Sequence, residues 1–115
     1  MDDDVAVLAL EAGSVRMQMT AGGLTADAGD AVALRSVRRA CATARRTPAL
    51  HEQFGEYLAL ELRLAARCSG PDPARRPVGT VVRHAAELIE AGRNLHTVLH
   101  ALAPLVELAP RDDTA

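Results

Sequence analysis

Residues 78–106 read VGTVVRHAAELIEAGRNLHTVLHALAPLV, and this stretch decides the fold class. Val78, Val81, Ala85, Leu88, Gly92, Leu95, Leu99, Leu102 and Val106 follow one another at alternating spacings of three and four. That is an a/d seam held for about four heptads, the pattern of a helix that lays one narrow stripe against other helices. A continuous helix over this span would be ~42 Å long at 1.5 Å per residue. Two features interrupt it. Gly92 followed by Asn94 has the chemistry of a helix stop and a new N-cap. Pro104 cannot donate to the carbonyl of His100 and must bend or end the helix there. Because the seam passes Gly92 without a change of phase, the spacing favours one long helix to about Ala103, kinked into a last turn.

Three further segments precede it. Val5, Leu8, Ala12, Val15 and Met19 fit a helical stripe with Asp4 near its start. Val15, Met17 and Met19 also alternate with polar residues, so a hairpin turning at Ala12-Gly13-Ser14 competes with the helix. The helix is favoured because nothing else in the chain offers a third strand. After Gly22-Gly23, a second helix is expected from about Asp27 to Arg46, with Leu34, Val37, Cys41 and Ala44 inward. Thr47-Pro48 then opens a third helix to about Arg67. Its expected buried face is Leu50, Phe54, Tyr57, Leu58, Leu62 and Ala65. Residues 69–77, with three prolines and a glycine, form the one substantial loop. The fold class is therefore all-α: an antiparallel bundle of about four helices with a long C-terminal helix, or three helices and an N-terminal β-hairpin.

Composition agrees. The 115 residues form one domain, 49% hydrophobic and 24% charged. Aromatic residues are only 2%, so the core is built from Leu, Val and Ala. Small side chains let helices approach closely but bury little area each, which points to a homodimer. Every basic residue is Arg, and with heavy use of Ala this suggests a bacterial genome of high G+C content. The acidic ends, residues 1–4 and 109–115, are expected to be flexible. An acidic N-terminus is not a signal peptide, and no apolar run is long enough to span a bilayer. The cytoplasm is the expected compartment, with Cys41 and Cys68 as buried, reduced thiols.

No motif declares a reaction. Glu61 stands out, because on a helical wheel it falls among Leu50, Phe54, Tyr57 and Cys68, where a carboxylate must be paired, protonated or at an opening in the core. His96 and His100 lie one turn apart and present two imidazoles to one side, the start of a metal site that Glu61 or His51 would have to complete in space. No cofactor motif is present. Between Ala31 and His51 there are five arginines and no acid. Arg35, Arg38, Arg39, Arg45 and Arg46 form a stripe that could grip phosphates or a protein surface, and Arg75 and Arg76 could extend it. No aromatic residues interleave for base stacking, and the open side of the third helix lacks the basic groups of a recognition helix. The sequence therefore favours a non-catalytic protein that acts by protein–protein interaction, a self-associating regulator or adaptor. A nucleic-acid binder using the Arg stripe and a metal-dependent enzyme or metal-binding bundle on Glu61, His96 and His100 are the alternatives.

Overall fold

The computed structural model describes residues 3–21, 28–46, 52–68 and 77–108. These residues form six helices and no strand: α1 (Asp3–Thr20), α2 (Ala28–Arg46), α3 (Glu52–Cys68), α4 (Pro77–Glu90), α5 (Leu95–Ala101) and α6 (Ala103–Val106). The protein is all-α. The expected start of the third helix at Pro48, with Leu50 and His51, lies outside the described residues, as do Arg75, Arg76 and the C-terminal residues 109–115.

The N-terminal segment is the helix α1, not the hairpin. Asp3 and Asp4, expected in a flexible terminus, form its first turn, where the helix dipole favours carboxylates. Asp4 also pairs with Arg93 at 2.8 Å.

The long C-terminal helix is not continuous, and four helices become six. At Gly92 the backbone takes φ +90°, a conformation that glycine reaches without a Cβ clash. The amide of Gly92 donates to the Ile89 carbonyl at 3.1 Å, and that of Arg93 to the Leu88 carbonyl at 3.0 Å. This pair of bonds closes a helix in a Schellman motif. Asn94 then caps α5, its side-chain oxygen accepting from the Thr97 amide at 3.0 Å. A straight ~42 Å rod would overrun the longest dimension of the molecule, 38 Å. The break turns α5 back onto α2 and α1, so the seam residues on both sides of Gly92 share one core.

The helices pack as two layers. In one, α4 lies between α1 and α3; in the other, α2 packs against α5 and α6. The thin dimension of 21 Å is two helix diameters. Val78, Val82, Leu34, Val37, Leu62, Leu8, Leu102 and Leu105 are fully buried between the layers. A hydrogen bond and an ion pair tie α4 to its neighbours on the outer side: His84 Nδ1 meets Glu11 of α1 at 2.7 Å, and Arg63 of α3 pairs with Glu90 at 2.6 Å. Among the described residues no helix is long and apolar enough to cross a membrane.

Candidate functional site

The outer side of the α1–α4–α3 layer departs most from an ordinary soluble surface. On α1, Val5, Leu8, Ala12 and Val15 face the core, yet Val7, Leu10 and Met17 on the opposite side are 49%, 74% and 71% exposed. At 100° per residue Leu10 and Met17 sit on one line, with Gly13 and Ser14 on either side of it. The charged residues between Val5 and Thr20, Glu11 and Arg16, are drawn to the flanks, Glu11 by His84 and Arg16 by Glu107 at 2.7 Å. The outward face of α1 therefore carries no charge from Ala6 to Thr20. A helix that is apolar on both sides is normally covered on both.

α3 has an exposed apolar stripe of its own. Its buried residues are Gly55, Leu58, Ala59, Leu62, Ala65 and Ala66. Phe54 and Tyr57, expected inside, are 36% and 60% exposed, and Leu60 and Leu64 are more than half exposed. The physical reason is the close approach of α4, which small residues permit. A Cβ at Gly55 would stand 3.8 Å from Ile89 Cγ2, so α3 turns its smallest face to α4 and its aromatic residues outward. Phe54 and Tyr57 stack against each other instead, ring centroids 5.9 Å apart. On the exposed side of α4, Arg83 and Glu87 form an i,i+4 pair.

This rotation also disposes of the Glu61 anomaly. Glu61 is half-buried, and its stripe neighbours Tyr57 and Leu64 face water. Among the described residues it has no hydrogen bond or ion pair. It does not line the cleft that holds the two histidines, and no three His, Cys, Asp or Glu side chains among the described residues converge on a metal position. Of the α2 arginines, Arg35, Arg39, Arg45 and Arg46 are exposed, while Arg38 is half-buried and engaged within the protein.

His96 and His100 line a cleft of about 780 Å³ where α5 and α6 cross α2. Cys41 and Leu99 are buried at its floor, and the Cys41 thiol donates to the Leu99 carbonyl at 3.5 Å. Burial pushes the Cys41 thiol up to about 11, against the pull of Arg45. Cys41 is thus held protonated at neutral pH and is a poor nucleophile. Cys68, expected to be buried, is exposed, and neither cysteine is in a disulfide.

Sequence reasoning missed the outward face of α1 and the participation of Cys41 in the histidine cleft. The first was visible as two interleaved stripes in one segment, Val5-Leu8-Ala12-Val15 and Val7-Leu10-Ser14-Met17. The second depends on how α5 folds back after Gly92. No protein-family model matches the chain, and neither a curated protein nor a solved structure shows significant similarity to it.

Proposed function

We propose that this is a non-catalytic interaction protein, a regulator or adaptor, that self-associates as a homodimer through the outer face of the α1–α4–α3 layer. One observation carries the reading: the uncharged, apolar outward face of α1, with Leu10 and Met17 the two most exposed apolar side chains on it. Area supports a second copy as the occupant. Val7, Leu10, Met17, Tyr57, Leu60 and Leu64 each stand between 49% and 74% exposed. At roughly 100–150 Å² per such side chain they offer on the order of 600–900 Å², and a stable interface takes about 800 Å² from each partner. α1 alone would offer about half of that.

Charge supports a twofold axis perpendicular to the helices. Such an axis sets α4 antiparallel to α4 of the second copy and brings Arg83 opposite Glu87 of that copy, twice. It also brings Leu10 against Met17 of the second copy, with the small Gly13 and Ser14 at the closest approach. Leu10→Glu combined with Met17→Glu tests the proposal. The variant is expected to keep its helical spectrum and to sediment as a monomer where the wild type is a dimer. A wild type that is monomeric at all concentrations refutes it. A second reading, polyanion binding, is favoured by Arg35, Arg39 and Arg46 lying exposed along one side of α2. It predicts binding to random duplex DNA that weakens steeply with salt.

A further inference from the structure

The histidine cleft is independent of the proposed dimer face, since its walls come from α2 on one side and from α5 and α6 on the other. Its floor is apolar. Cys41, Ala44 and Leu99 are buried there, and the thiol proton is committed to the Leu99 carbonyl. Its rim is polar and unbalanced in charge. Arg45 stands on the α2 wall, and His96 and His100 on the α5 wall. Among the described residues the acid that lines the cleft is Glu107, and Arg16 from α1 already engages it at 2.7 Å. An apolar trough with a cationic group and imidazoles at its mouth, of a size within the ~300–1,000 Å³ of small-molecule sites, has a definite complement: a hydrocarbon body with one anionic head.

We propose that this cleft binds a small amphiphilic anion of the alkyl carboxylate class. The chain lies along Ala44, Leu99 and Val106, and the carboxylate meets Arg45 at the rim, where a guanidinium can engage both oxygens. Cys41 contributes a small apolar surface and no covalent chemistry. An alkyl chain in the cleft accounts for the small residues, Cys41, Ala44 and Ala103, that line the crossing of α2 with α5 and α6. Larger residues there would fill the space.

The test is titration of the full chain with hexanoate, octanoate and decanoate below their micellar concentrations, read by calorimetry and by the ring-proton signals of His96 and His100. Saturable binding is expected, with Kd falling roughly three- to four-fold for each added methylene. Decylammonium, with the same chain and the opposite charge, is expected not to compete. Arg45→Gln is expected to weaken decanoate at least about tenfold, in line with loss of a charge-assisted hydrogen bond. Ala44→Phe fills the floor and is expected to abolish binding. Ala103→Phe obstructs the same space from an exposed position, so a misfolded Ala44→Phe leaves the test intact. Leu10→Glu on α1 is expected to bind decanoate as the wild type does. In the wild type, decanoate is also expected to slow alkylation of Cys41. Absence of saturable binding overturns the proposal. So does binding that decylammonium displaces equally well, or that survives Ala103→Phe and Arg45→Gln while Leu10→Glu removes it.

Discussion

Gly13→Ala separates the roles of α1 in the single chain and in the dimer, because the two have opposite signs. Gly13 lies in the middle of an 18-residue helix, where glycine destabilises by roughly 0.5–1 kcal/mol relative to alanine. A Cβ at this position would meet nothing within 4 Å, and the backbone there is ordinary helix. Within one chain the substitution is therefore expected to stabilise by that amount. In the dimer, two added methyl groups enter the closest approach of α1 to its twofold mate. Overpacking of this kind costs about 1–3 kcal/mol, a roughly 5- to 150-fold rise in the dimer dissociation constant. Urea unfolding at a concentration below dissociation reads the first effect, and sedimentation across a concentration series reads the second. A Gly13→Ala variant that dimerises as tightly as the wild type, or more tightly, refutes the placement of Gly13 at the interface.

Other outcomes follow from the same structure. Gly92→Ala forces a Cβ into φ +90° and is expected to destabilise by about 1–2 kcal/mol, whereas Asn94→Ala, which removes the cap of α5, is expected to lose about 1 kcal/mol; urea unfolding measures both. Cys41 is raised from 9.0 to about 11 by burial, so its contribution is complete below pH 9 and is lost as pH rises toward 11. The alkaline limb of the wild type is expected to fall by roughly 2–3 kcal/mol more than that of Cys41→Ala, and Cys68 is expected to react with iodoacetamide far faster than Cys41. The hydrogen bonds from Arg63 hold the Glu90 carboxyl below its ordinary value. That pair supports the fold above the unfolded pKa of ~4.3 and fails as pH falls through the lower folded value. Arg63→Met is therefore expected to flatten the acid limb of the stability curve.

The sequence carried the inward faces more clearly than the outward ones. Leu34, Val37, Cys41 and Ala44 are buried on α2 at the spacing that predicts them, and Val78, Val81, Ala85 and Leu88 are buried on α4. The C-terminal break was written in Gly92 and Asn94, but the unbroken phase of the seam argued for continuity. Burial on both sides of a reversal preserves phase as well as a straight helix does, so the seam alone could not decide. On α3, Leu58, Leu62 and Ala65 are buried as expected, but Phe54 and Tyr57 were misplaced because apolar residues occupy more than half of the circumference. Which side faces inward is set by the distance at which α4 packs, and Gly55, Ala59 and Ala66 win that contact over Phe54 and Tyr57. Glu61 looked anomalous only against the wrong face. The cleft required tertiary information, since Cys41 and His96 are brought together by the turn at Gly92.

Self-association of the wild-type chain is read from its sedimentation mass between low micromolar and millimolar concentration at moderate salt. A reversible transition is expected from the 12.1 kDa chain to a species of twice that mass, within this range and little affected by salt, because the interface is mainly apolar. A single species at the mass of one chain across the whole range contradicts it.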